Sequence, residues 1–434
     1  MNEQSVGPVM RAMIALVCML AVAASHGAAR PDDRTLYDAD ELAAIYRHSP
    51  LGKPAADPTN AVADNPAAAQ LGQRLFYDVR LSGNGQIACA TCHQPARAFT
   101  DARPVAQALG IGTRNTPTLL NAAFATWFFW DGRTDSQWSQ ALKVFENPAE
   151  IGTDRLHILH VISDDPALRS AYEAVFSTLP SCSDLRRFPQ HARPGTDAGA
   201  ALNAAWMGMT AVDRTAANRA FSNVGKAIEA YERRLVSDDS TFDRYVAALK
   251  SGDQVAQRGI PAAAKRGLRL FVGAGHCELC HAGPAFTDGQ FHNLGLPMRP
   301  GAAADAGRYT GIGRVRADPF NTTSTFSDSA GGEAGERLRF MPPPDSMLGA
   351  FKTPSLRNVA LTAPYMHDGR FGTLDEVLDF YAQVPPVEPG RRLGQRERTL
   401  DLIPRLTPAQ RQDLIAFLQT LTSPLPPAQL LGPH

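Results

Sequence analysis

Two short strings combine residue types and spacing that could do chemistry: Cys89-Ala-Thr-Cys-His93 and Cys277-Glu-Leu-Cys-His281. Each is C-x-x-C-H, the attachment pattern of a c-type haem. In that chemistry the two thiols add across the haem vinyl groups and the adjacent imidazole takes one axial position on the iron. A single such string could equally be a zinc knuckle or a chance match. Two copies inside a longer repeat point to two covalently held haems.

The repeat is ordered along the chain. Ala67-Ala-Ala-Gln-Leu-Gly-Gln-Arg-Leu-Phe76 precedes the first string, and Ala262-Ala-Ala-Lys-Arg-Gly-Leu-Arg-Leu-Phe271 precedes the second. Ala-Phe-Thr-Asp follows each, at 98–101 and 285–288. Then come Thr116-Pro-Thr-Leu-Leu-Asn121 and Thr353-Pro-Ser-Leu-Arg-Asn358, and later the tetrads Trp130-Asp-Gly-Arg133 and His367-Asp-Gly-Arg370. The period is far too long for a solenoid and indicates a duplicated haem-binding unit.

A haem does peroxide chemistry only if one axial face is open, whereas a haem with two protein ligands transfers electrons. Thr373-Leu-Asp-Glu376 is a capping-box pattern, and Leu374, Val377, Leu378 and Tyr381 follow at helical spacing. Tyr381 therefore faces inward, fourteen residues after His367. Such a tyrosine is either core or an iron ligand, with Met347 and Met366 as rival ligands. Fourteen residues after Trp130 stands Val144, which cannot ligate. The expectation is an open first haem and a second haem closed by Tyr381. Gln140 and Glu150 lie on the same side of the first unit. A glutamate in an apolar pocket can move the proton that peroxide cleavage requires, with Gln140 holding peroxide or water. A surface or helix-start carboxylate is the plainer reading of Glu150. Trp130, placed between the units, is either core or an electron relay.

The elements that must position these residues read as mainly α, two tandem c-type cytochrome domains with a di-haem interface and almost no strand pattern. Helices are expected over Asp40–Arg47, Ala67–Phe76, Thr134–Phe145, Asp154–Ile162, Pro166–Phe176 and Arg219–Leu235. Loops are expected over 181–199 and 317–346. The expected division is a signal peptide over 1–29, a peroxidatic haem domain over 30–237 and an electron-transfer haem domain over 238–434. Arg11, the apolar run Ala12–Ala24 and the small residues 21–29 carry the secretory reading, so the expected location is the periplasm, with no membrane span after cleavage. With 44% hydrophobic residues the 434-residue chain can bury two cores. Its zero formal net charge gives no reason to expect nucleic acid as a partner. Signal cleavage removes Cys18 and leaves Cys182 as a lone thiol, expected solvated or half-buried in the 181–199 loop.

Taken with Arg114-Asn-Thr-Pro-Thr118, Phe129-Trp-Asp-Gly-Arg133 and Leu361-Thr-Ala-Pro-Tyr365, these strings resemble the bacterial di-haem cytochrome c peroxidase family over about 67–421. The resemblance implies an inter-haem Trp at Trp130 and a distal pair at Gln140 and Glu150. It also implies a calcium ion held by the Asn115 side chain and by carbonyls of Thr362 and Pro364. Ordinary members carry a gating histidine after the first string, and here none occurs between His93 and His157. They also use methionine where this chain has Tyr381. Tyr there is similar to the MauG/MbnH-like branch, which stores two oxidising equivalents over both haems and oxidises residues of a partner protein. A Trp two residues before the second string, the exit route for electrons in MauG itself, is Gly275 here. Three functions follow as expectations: peroxide-driven oxidation of a partner protein, with tryptophan the target that the MbnH-like resemblance implies; peroxide detoxification fed by a small cytochrome or cupredoxin; and electron carriage without catalysis. An open first haem speaks against the last.

Overall fold

The computed structural model describes residues 32–299, 301, 303–329, 332–383 and 393–433. The expected signal peptide and Cys18 lie outside the described residues. The architecture is mainly helical, and the only sheet among the described residues is a two-stranded ribbon. Its strands β1 (Phe291–His292) and β2 (Phe351–Lys352) run antiparallel with Phe291 opposite Lys352.

The helices are α1 (Ala39–Arg47), α2 (Pro66–Tyr77), α3 (Gln137–Phe145), α4 (Arg155–Asp164), α5 (Pro166–Val175), α6 (Ala200–Gly208) and α7 (Ala211–Glu232). They continue as α8 (Thr241–Ser251), α9 (Ala262–Val272), α10 (Arg308–Arg316), α11 (Gly332–Arg339), α12 (Leu374–Gln383) and α13 (Pro408–Gln419). Local chemistry sets their ends. Asn65 caps α2 by accepting from the Ala67 and Ala68 amides, with Pro66 in the first turn. The Ser136 side chain accepts from the Ser139 amide and starts α3 later than expected, because Thr134 is bridged to Phe128 instead. Thr210 caps α7, so this helix begins eight residues before Arg219. Helix α11 forms inside the stretch 317–346 that the sequence pattern left as loop.

Two cores organise the helices. The first gathers Leu71, Leu75 and Phe76 of α2, Trp138 and Phe145 of α3, and Phe221, Val224, Ile228 and Tyr231 of α7. The second gathers Phe242 and Tyr245 of α8, Leu268 and Phe271 of α9, and Leu414 and Phe417 of α13. Each core contains a close helix crossing at a glycine repeated in sequence. A Cβ at Gly72 of α2 would collide with the Ala227 carbonyl oxygen of α7, and a Cβ at Gly267 of α9 with the Asp413 carbonyl oxygen of α13. The duplicated Ala-rich strings are therefore duplicated helix crossings.

The chain ends cross between the cores. Tyr37 and Ile45 belong to the second core although they precede the first in sequence, and Leu430 belongs to the first. Tyr231 donates a hydrogen bond of 2.6 Å to the Leu430 carbonyl. Arg357 ties the arm before α2 to the second core, pairing with Asp243 at 2.8 Å while reaching the His48 carbonyl. Cys182 is only 3% exposed and packs into the first core, so it is neither solvated nor half-buried as expected. Residues flanking it, Leu179 and Phe188, draw that loop inward. No helix among the described residues is long and apolar enough to cross a membrane.

Candidate active site

The two C-x-x-C-H strings open the same way. Cys89–Cys92 forms a single helical turn and Cys277–Leu279 a 3-10 turn. In each, the following histidine amide donates to the first cysteine carbonyl, at 2.9 Å for His93 and 3.0 Å for His281. Side-chain orientation is fixed by the repeated Ala-Phe-Thr-Asp string. His93 Nδ1 lies 3.0 Å from the Phe99 carbonyl, and His281 Nδ1 lies 3.0 Å from the Phe286 carbonyl. A carbonyl can only accept, so Nδ1 carries the proton and Nε2 is left as a lone-pair donor. Phe99 (φ 58°) and Phe286 (φ 52°) both hold the left-handed conformation that aims these carbonyls. Sequence reading found the string but not its role; its repetition was the available signal.

Both histidines and both cysteine pairs line one continuous cavity of about 1220 Å³. That exceeds the roughly 300–1,000 Å³ of an ordinary small-molecule pocket. Burial lowers the pKa of His93 and of His281, which keeps both imidazoles neutral, as a metal ligand must be. Burial pushes three of the thiols up, Cys92 to about 11, Cys277 to about 12 and Cys89 higher still, so none of these three is an activated nucleophile. Paired thiols, an imidazole with Nε2 free and a cavity open beside both fit a covalently attached haem at each string.

The remaining expected residues line the same cavity: Trp130, Gln140, Val144, Glu150, Tyr381, Asn115, Thr362 and Pro364. Gln140 and Val144 project from α3, one turn apart. Glu150 sits in the turn after it, held from two sides by backbone hydrogen bonds. The Leu109 amide donates to the Glu150 carbonyl at 3.4 Å and the Gly110 amide to Ala149 at 2.9 Å. From the other side the Gly83 amide, in the turn cluster 82–85, donates to Ile151 at 3.1 Å. Burial pushes the Glu150 carboxyl above the usual range; the charge of Arg133 and a hydrogen bond from Asn147 pull it back only in part. Arg133 was not among the expected site residues. A second buried carboxyl, Glu232 at the end of α7, also lines the cavity, accepts from Gln137 at 2.7 Å, and is pushed up to about 7 by burial.

Trp130 lies in a loop closed by a Phe128–Thr134 bridge, as His367 lies in one closed by a Tyr365–Phe371 bridge. The indole Nε1 donates to the Asn115 carbonyl at 2.9 Å. The two units interlock around it reciprocally: the Asn115 amide donates to the His367 carbonyl at 2.8 Å, and the Lys352 amide donates to the Trp130 carbonyl at 2.9 Å. Asn115 Nδ2 donates to the Arg103 carbonyl at 2.9 Å, leaving Oδ1 as an acceptor. Among the described residues that oxygen and the Thr362 and Pro364 carbonyls accept no hydrogen bond. Three such oxygens are the donor type a hard cation takes.

Tyr381 sits on α12, whose first turn is closed by Thr373 and Glu376 as the capping pattern predicts. Burial raises its phenol pKa, and the neighbouring Cys280 and Cys277 thiols raise it further. Among the described residues its hydroxyl has no hydrogen-bond partner. Met347 packs instead against the small cluster around Ile312 and Met341 and does not line the cavity, whereas Met366 does.

Comparison with known proteins agrees with this geometry. The family described as "Di-haem cytochrome c peroxidase" matches residues 66–251. The methylamine utilization protein MauG of Methylorubrum extorquens is 31% identical over 95% of this chain and 94% of its own. Cytochrome-c peroxidase IdrP1 of Denitromonas iodatirespirans is 33% identical over 89% and 90%. A crystal structure of a MauG-like protein associated with microbial copper homeostasis superposes with a TM-score of 0.59 and 27% identity, covering 88% of this chain and 97% of that one. Likeness of this extent, over both repeats at once, leaves one conclusion: the chain belongs to the di-haem cytochrome c peroxidase/MauG family of oxidoreductases.

Proposed function

We propose that the protein is a periplasmic di-haem enzyme that reduces hydrogen peroxide and draws the electrons from residues of a partner protein, in the manner of the MauG/MbnH-like branch. Cys89, Cys92 and His93 would hold one haem, and Cys277, Cys280, His281 and Tyr381 the other. Such haems would supply redox chemistry, peroxide reduction at one and storage of an oxidising equivalent at the other. The asymmetry of two matched positions carries the reading: Tyr381 is enclosed beside Cys277 and Cys280 with its hydroxyl unpartnered among the described residues, whereas Val144 offers only methyl groups.

The chain's own groups do the rest. Glu150, with its pKa raised by burial, takes a proton from one peroxide oxygen and returns it to the other as the O–O bond breaks. Gln140, on the neighbouring helix, orients the peroxide through its amide. Peroxide gains two electrons and two protons and leaves as two waters; the partner loses the two electrons. Trp130, hydrogen-bonded to Asn115 and backbone-locked to β2, is the relay between the units. Asn115, Thr362 and Pro364 would hold a calcium ion that ties the halves together.

Detoxification with a small cytochrome or cupredoxin as donor is the second reading. It is favoured by the near-equal identity to MauG and to a cytochrome-c peroxidase, and by Gly275 at the position of the exit-route Trp. The two separate in one experiment. Oxidised protein and peroxide are added to a periplasmic extract, and new oxygen adducts on tryptophan and tyrosine are mapped by mass spectrometry. The proposal expects adducts concentrated on one protein and absent without peroxide. Rapid peroxide consumption with a reduced small cytochrome, and no adducts, would favour detoxification.

A further inference from the structure

Among the described residues six cationic side chains line the cavity, and five of them have a carboxylate partner. Arg114 pairs with Asp131 at 2.7 Å and Asp305 at 2.8 Å, and Arg133 with Asp131 at 3.1 Å. Arg299 and Arg370 share Asp368 at 3.0 and 2.6 Å, and Arg314 reaches Asp131 at 3.9 Å. The sixth is Lys352. Among the described residues its ammonium has neither a carboxylate within ion-pair distance nor a hydrogen-bond acceptor. It is nonetheless half-buried in the cavity wall, on β2 beside Trp130, and burial alone pulls it down to about 8. An unpaired ammonium partly withdrawn from water is costly, and a counter-charge offsets that cost.

The repeat places Lys352 more sharply. Thr353-Pro matches Thr116-Pro, so Lys352 occupies in the second unit the position of Asn115 in the first. The reciprocal backbone bonds, Asn115 to His367 and Lys352 to Trp130, confirm that equivalence in space. One member of the pair presents a carbonyl oxygen, and the other a cation, at the junction of the two units. The counter-charge that the other five cations take is a carboxylate. Haem carries two, on the ring edge remote from the vinyl positions that the cysteines take.

We infer that Lys352 is the binding partner of a haem carboxylate at the junction of the two units. The inference rests on the two-haem part of the proposed function and on nothing concerning peroxide or partner protein. The pair fixes the carboxylate edge of that haem beside Trp130 and places a positive charge where electrons pass between the units. Positive charge favours the reduced iron, so its removal lowers the midpoint potential of the nearer haem.

The test uses the holoprotein with Lys352→Met and Lys352→Arg. Haem content is read by pyridine haemochrome, both midpoint potentials by spectroelectrochemistry, and carboxylate contacts by the propionate-bending bands in resonance Raman spectra. Lys352→Met is expected to keep two haems, to shift the reduction equilibrium of one of them about tenfold toward ferric, ~59 mV for one electron, and to move one propionate band. Lys352→Arg is expected to restore both readouts. Unchanged potentials and bands in Lys352→Met overturn the inference. So does a shift in potential with no moved band and no rescue by Arg, which is a structural effect. Should Lys352→Met fail to mature, Lys352→Gln is read by the same criteria. Failure here leaves the peroxide reading standing, whereas a single haem in the wild type would sink that reading first.

Discussion

Glu150→Gln isolates the proton-transfer role of this carboxyl from any part in folding. Glutamine keeps the length of the side chain and can keep the hydrogen bond with Asn147. The bonds that hold the turn, from Leu109, Gly110 and Gly83, are all backbone and remain. What is lost is the proton acceptor, worth about 10²–10⁴-fold in rate, or ~2.7–5.4 kcal/mol of barrier. The pH dependence follows from the direction of the shift. Burial raises the folded pKa of Glu150, so the charged form that accepts a proton disappears as pH falls through a value above that of an ordinary glutamate, about 4.3. The wild type should therefore show an acid limb displaced upward, and Glu150→Gln should show none. Stability moves the opposite way: a raised carboxyl contributes least once pH exceeds its folded pKa, so the glutamine variant is expected to be no less stable at pH 7. The assay is stopped-flow mixing of oxidised protein with peroxide from pH 4 to 8, with thermal unfolding alongside. An unchanged rate, or a slowed rate that comes with a lowered unfolding temperature, would refute the assignment.

Three further outcomes follow from the fold. Replacing Cys89 and Cys92 together by alanine should leave one covalent haem of two in the pyridine haemochrome assay. Gly72→Val forces a side chain into the Ala227 carbonyl where α2 crosses α7 and should cost ~1–3 kcal/mol or more in a denaturant titration. Arg357→Met strands the buried Asp243 and should cost ~3–5 kcal/mol. Burial alone would raise the Asp243 carboxyl, but Arg357 and Ser240 outweigh it and hold it below its usual value. The pair's contribution is therefore present above the unfolded pKa, about 3.9, and in the wild type is lost as pH falls below it.

Much of the site was legible because duplication writes each position twice. The C-x-x-C-H strings, the Ala-rich helices and the matched pair Val144 and Tyr381 could be compared within the chain itself. What escaped was long-range electrostatics. Nothing in the sequence says that Arg133 lies near Glu150, that Glu232 turns into the cavity, or that Lys352 has no partner among the described residues. Those facts depend on which loops meet across the two units. Helices such as α2, α4 and α12 were readable from capping and spacing; α11 was not, nor was the late start of α3, because Thr134 is taken by a bridge that only the folded loop creates. The burial of Cys182 escaped for a similar reason: a polar, Pro-rich stretch conceals the few apolar residues that pull it inward.

The central claim is the asymmetry of axial ligation, and EPR of the fully oxidised protein tests it most directly. The account predicts one high-spin ferric signal, from an open haem at His93, and one low-spin signal, from a haem held by His281 and Tyr381. Tyr381→Phe should abolish that low-spin signal with both haems still attached. Two low-spin signals in the resting protein, or a low-spin signal that survives Tyr381→Phe, would contradict the account.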